Sequence, residues 1–241
     1  MRAFVAAVVL FGLGAAVAAP VPKEEEKLKP ATDDQRAEVQ NNLKQIVLAI
    51  HSYHDTSNAM PADVIDPKTK KPILSWRVHL LPYMEELALY QKFKLDEPWD
   101  SENNKKLIDS MPKLFAPTRV KAKAGETFYR GFAGKGEFAG MFEPGVKLTI
   151  ISATDGTSNT IGVIDAGEPV VWTKPGTDLD VDPKKDLPKL GGMIDGDFYC
   201  AMMDGSTKTV RREFDAKTMR AAISRAGGEV YEPEKVFVEK E

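Results

Sequence analysis

The segment 33-DDQRAEVQNNLKQIVLAIHSYH-54 decides how the rest of the chain is read. Val39, Leu43, Ile46, Val47, Ile50 and Tyr53 recur at helical spacing and form one apolar stripe. Asp33 or Asp34 stands where a carboxylate caps the free N–H groups of a first helical turn. The pattern stops near His54, ahead of Asn58 and Pro61. No other periodic element in the chain is as long, so this helix is the frame on which the remainder must pack.

Downstream, Leu74 to Phe93 is also helix-like but broken, with Ser75 as a cap and Pro82 as an interruption. Ser101 caps a short helix that Pro112 stops. From about residue 113 the character changes, and glycines alternate with aromatics from Phe128 to Gly145. Short strands and tight turns fit that pattern. Leu148–Ile151 and Thr160–Ile164 read as strands, and residues 173–192 as a long loop. Phe198–Met203 and Ser206–Val210 flank Asp204-Gly205, a hairpin signal because both turn positions tolerate positive φ. Asp215 caps a last helix that ends at Gly227-Gly228. Helices first and strands later predict an α+β domain with an antiparallel sheet.

Upstream, Arg2 precedes an apolar run from Ala3 to Ala15, and Ala16-Val17-Ala18 has the small-x-small form of a cleavage site. Residues 1–19 are therefore expected to be a signal peptide, and the chain to be secreted or periplasmic. The alternative is an uncleaved anchor, for which the 17 residues from Ala3 to Ala19 lie at the short edge of the roughly 17–25 a span needs. Residues 20–33, with Pro20, Pro22, Pro30 and the run Lys23 to Lys27, read as a charged linker. The domain is expected over 34–232, and a charged tail over 233–241.

The net charge is −3, with acids and bases interleaved. No basic stripe offers itself to phosphates, so no nucleic-acid partner is expected. The single cysteine, Cys200, sits in an apolar run and is expected to be buried.

Few residues offer chemistry. His51 and His54 share one side of the first helix, but His79 is the only other imidazole. A zinc site would have to be completed by carboxylates. Asp178, Asp180 and Asp182 alternate as at the start of a calcium loop and are the candidate Ca²⁺ ligands. Pro183 and Lys189 stand where an EF-hand needs Gly and a bidentate Glu, so only an irregular calcium loop remains. Gly134-Lys135-Gly136 lacks the frame of a phosphate loop, and Ser158 lacks that of a hydrolase nucleophile. No cofactor other than that calcium ion is expected, and no catalytic residue is assigned.

A set of motifs in series carries a family resemblance. They are Asn41-Asn42-Leu43-Lys44-Gln45-Ile46 with His51 to Asp55, Leu74-Ser75-Trp76-Arg77-Val78, and Asp96 to Ser101. Asp155-Gly156-Thr157-Ser158-Asn159-Thr160, Trp172 to Pro175, Gly191-Gly192, Asp204-Gly205-Ser206 and Gly227-Gly228-Glu229 follow. Over about residues 36–230 the chain resembles the planctomycete-type, prepilin-related domain of unknown function 1559. The resemblance implies a type IV pilin-like fold, a long N-terminal helix packed on an antiparallel β-sheet with loop and helix insertions. It carries over no catalytic residues. Where the family's C-terminal signature places a histidine ten residues before Asp204-Gly205, this chain has Ile194.

Two functions follow as expectations. The first is a secreted, non-enzymatic, pilin-like structural or surface-interaction protein, with a protein partner at the cell surface and membrane contact only through an uncleaved leader. The second is a periplasmic or extracellular module binding a small solute or calcium, built on the aromatic region Phe128–Phe142 with Trp172.

Overall fold

The computed structural model describes residues 30–120, 122–136 and 138–239. The expected signal peptide and all but the last residues of the linker lie outside them. The long helix, α1, runs Asp33–Ser57 and buries Val39, Leu43, Ile46, Val47 and Ile50. Each such side chain, fully removed from water, contributes about 1.5–3 kcal/mol. Its cap is Thr32 rather than either aspartate. The Thr32 hydroxyl accepts from Gln35 N at 3.2 Å, and Thr32 N donates to the Gln35 side chain at 3.0 Å. Asp33 and Asp34 occupy the first turn, where a negative charge faces the positive end of the helix dipole. Asn58 ends the helix in the left-handed conformation at φ 45°. Thr32→Ala is expected to cost about 1 kcal/mol, read as a lower urea midpoint. An unchanged midpoint would show that tertiary packing alone fixes this end.

A two-stranded hairpin follows, β1 (Val64–Ile65) against β2 (Pro72–Leu74). The broken helix is present as α2 (Trp76–His79), a 3₁₀ turn at Leu81–Tyr83 holding Pro82, and α3 (Leu87–Tyr90). Ser75 caps α2 by accepting from Arg77 N, and Ser101 Oγ accepts from Asn104 N at the start of a 3₁₀ segment, Asn104–Ser110. The main sheet is antiparallel, in the order β3 (Glu126–Arg130), β4 (Ile161–Val171), β5 (Phe198–Met202), β6 (Thr207–Val210). A final helix, α4, spans Ala216–Ile223, with Asp215 accepting from Thr218 N.

β5, one of the two central strands, is buried throughout. Its residues alternate between two cores, as the period-2 geometry of a strand requires. Tyr199 and Ala201 join the core shared with α1, while Phe198, Cys200 and Met202 join the core shared with Met219, Ala222 and Ile223 of α4. Helices therefore cover both faces of the sheet. Cys200 is buried and free, in the second core.

Three further sequence expectations change. Leu148–Ile151 is no strand; Ile150–Ser152 forms a 3₁₀ turn closed by a Thr149–Ser152 capping box. Only Gly205 of the Asp204-Gly205 pair has positive φ, at 85°, and its N–H donates to Met202 O at 3.0 Å. The connection is the longer loop closed by a left-handed glycine, not a two-residue mirror-image turn. Val236 and Phe237, inside the stretch read as a charged tail, are buried in the second core, and Phe237 bridges to Val210.

Candidate functional site

Three segments far apart in sequence meet around a cleft of about 570 Å³. They are residues 60–65 with the β2 end of the hairpin up to Trp76, the loop 133–148, and residues 176–180. The volume falls within the 300–1,000 Å³ typical of small-molecule sites. The lining is mainly apolar, with Met60, Trp76, Met141, Phe142 and Leu148 nearly buried and Ile65 and Val146 exposed at about 40%.

The Trp76-Arg77 pair anchors this region. Phe142 stacks on the Trp76 indole with centroids 4.5 Å apart and planes inclined by 30°. The Arg77 guanidinium lies over the same ring at 4.6 Å. The indole N–H donates to Asp178 Oδ2 at 2.8 Å. Arg77 is wholly buried, and its fork is fully used. Nε and one terminal nitrogen donate to Tyr129 O at 3.2 and 3.0 Å. The other donates to Ser75 Oγ at 3.0 Å, and an ion pair at 3.2 Å joins Arg77 to Asp178 Oδ1. Gly131 N also donates to Asp178 Oδ1, at 3.0 Å. Such bidentate, planar donation is what arginine supplies and lysine does not.

Three further carboxylates line the cleft: Asp63, Asp180 and Glu143. Asp63 accepts from Trp76 N at 3.0 Å and Gly176 N at 2.6 Å, tying the hairpin to the 176–180 segment. Burial, and then the neighbouring Asp178 charge, push its carboxyl above the ordinary value of 3.8. Glu143 pairs with Arg225 and accepts from Gly136 N at 3.0 Å. Burial pulls it upward, but that N–H and the Arg225 charge win and hold it below the usual carboxylate value. Asp180 is exposed. The two lysines of the lining, Lys70 and Lys135, are exposed as well.

The three aspartates offered as calcium ligands are thus placed differently. Asp178 is committed to Arg77, Trp76 and Gly131; Asp180 faces the cleft; Asp182 caps a turn through Lys184 N at 2.9 Å and pairs with Lys185. Among the described residues no group of three or more His, Cys, Asp or Glu side chains is placed to hold a metal ion. His51 Nε2 meets Met203 O at 2.6 Å, and His54 Nε2 accepts from Ile150 N at 3.2 Å, so both imidazoles serve the packing of α1. Phe142 of the aromatic region does reach the cleft. Trp172 does not line it; it is buried between Phe93 and Phe115. Asp63 and Glu143 carried no signal in the sequence, since neither stands in a recognisable spacing.

The fold and cleft together define an α+β domain with a long N-terminal helix on an antiparallel sheet and an open, mainly apolar cleft beside it. The chain belongs to the family described as "Protein of unknown function (DUF1559)", whose model matches residues 35–193. That span contains all of α1 but its first two residues and every segment lining the cleft, and stops before β5, β6 and α4. Neither the curated proteins nor the solved structures contain a match to the chain.

Proposed function

We propose that this chain is an exported, non-catalytic module that binds a small solute in the cleft between the hairpin, the 133–148 loop and residues 176–180. One observation carries the reading. The Asp-rich segment and the Gly-aromatic region, separate in sequence, line a single space of ligand size whose walls are mainly apolar. A purely structural role gives no reason for a space of that size beside a fully satisfied buried arginine. The pilin-like reading is supported by α1 lying along β4, β5 and β6, and it describes the frame that carries the cleft.

A thermal-shift screen of amines, carboxylic acids, sugars and short peptides is the test. At least one class is expected to raise the melting temperature saturably by several degrees. Val146→Trp, at an exposed lining position, is expected to abolish that shift while leaving the unliganded melting temperature unchanged. A blank screen, or a shift indifferent to Val146→Trp, would overturn the proposal.

A further inference from the structure

Four carboxylates and two lysines line the cleft, but they are not equally available. Asp178 is neutralised by Arg77 and Glu143 by Arg225. Asp63 and Asp180 form no ion pair among the described residues. Lys70 and Lys135 project from exposed turns, at positions of positive φ (56°) and beside Gly134 and Gly136 respectively. Water and salt screen these two lysines, and the exposed Asp180 with them. Asp63 is part-buried, next to the indole-stacked wall, where a charge interacts much more strongly. The charge that decides which ligand enters is therefore negative.

We propose that the cleft takes an organic cation with an apolar body, its ammonium group on the Asp63 and Asp180 side and its hydrocarbon along Met60, Met141 and Phe142. This rests on the ligand-binding reading above and names its ligand class. A bare metal ion fits poorly, because the carboxylates do not converge on one point. An ammonium group needs no such convergence; it donates three hydrogen bonds in separate directions and brings a hydrophobic tail. The exposed Ile65 and Val146 extend the apolar surface to the rim, where the tail enters.

Three congeners of one shape test this on the full chain: 3-phenylpropylamine, 3-phenylpropanol and 3-phenylpropionate, by calorimetry at pH 7. The amine is expected to bind about ten-fold or more tightly than the alcohol, and the carboxylate more weakly than either. Asp63 also holds two backbone N–H groups, so the substitution is made at Asp180, which anchors none of the hydrogen bonds described above. Asp180→Asn is expected to weaken the amine several-fold and leave the alcohol unchanged. Equal or tighter binding of the alcohol or the carboxylate overturns the cation class and leaves the cleft reading standing. Binding of none of the three overturns the class as well; the ligand-binding reading falls with it only where the broader screen is also blank.

Discussion

Arg77→Met is expected to lower the unfolding free energy by about 3–5 kcal/mol, because it leaves an uncompensated carboxylate beneath the cleft. The side chain of Arg77 is fully buried and that of Asp178 is 8% exposed. Methionine matches much of the arginine volume, so packing on the Trp76 ring is largely kept. What disappears is the charge and every donor. Tyr129 O loses both its guanidinium contacts, and Asp178 keeps only the Trp76 indole N–H and the Gly131 N–H. For a domain of this size the melting temperature is expected to drop by about 10 °C.

The effect separates into charge and fork. Arg77→Lys keeps a cation but not the planar array that reaches Tyr129 O, Ser75 Oγ and Asp178 together. It is expected to recover less than half of the loss. Pairing Arg77→Met with Asp178→Asn removes the stranded charge, and the double variant is expected to be more stable than Arg77→Met alone. Urea unfolding of the four proteins reads all three statements. An Arg77→Met midpoint within about 1 kcal/mol of the parent would mean that water reaches Asp178 and that this pair does not hold the cleft.

That arginine also marks where reading the sequence stops. The apolar stripe of α1, the broken helix after Ser75 and the β5–β6 hairpin were legible because each is a local pattern, and local patterns follow from backbone period and capping. Trp76-Arg77 was legible only as words of a family motif. Its meaning lies in Asp178, 101 residues away. Asp63 likewise acquires its role from Gly176, at a separation of 113. Nothing in spacing encodes such partners, and alternating aspartates look the same whether they await an ion or hold an arginine. The Leu148–Ile151 run failed for a different reason. Four residues, three of them apolar, are too few to distinguish a strand from a turn packed on a helix, and His54 draws Ile150 N into the latter. The Gly191-Gly192 pair now has a physical cause. Gly191 takes φ 68°, and a Cβ on Gly192 would stand 2.6 Å from Ala166 O and 2.8 Å from the Phe128 ring.

That glycine pair exists to bring backbone N–H groups onto Asp165, and the last prediction follows from it. Asp165 lies in β4, fully buried. Its Oδ1 accepts from Gly192 N at 3.1 Å and Met193 N at 3.2 Å, and its own carbonyl accepts from Gly191 N at 2.8 Å. Burial raises its pKa strongly; the Gly192, Met193 and Ile194 N–H groups and the Arg212 charge offset this only in part, and the carboxyl is pushed up to about 7. An acid whose folded value exceeds its unfolded value of 3.8 binds a proton more tightly in the native state. Its stabilising contribution is complete below about pH 4 and is lost as pH rises through 7. Between pH 5 and pH 8 this group alone is expected to remove about 2–3 kcal/mol of stability. Asp63, raised in the same sense, adds to that slope. Burial lowers His79, whose contribution is present above 6.5 and lost as pH falls through its native value, so it opposes the slope. Asp165→Asn isolates the one group. An amide keeps a carbonyl oxygen for both N–H donors and never ionises, so the variant is expected to match the parent near pH 4 and exceed it at pH 8. Guanidinium or urea midpoints at pH 4, 5, 6, 7 and 8 for both proteins measure the difference directly. A parent whose midpoint is flat from pH 5 to 8, with Asp165→Asn less stable throughout, would show instead that the N–H groups of Gly192 and Met193 keep Asp165 ionised. The turn after Leu190 would then be an anion-holding nest rather than a seat for a neutral acid.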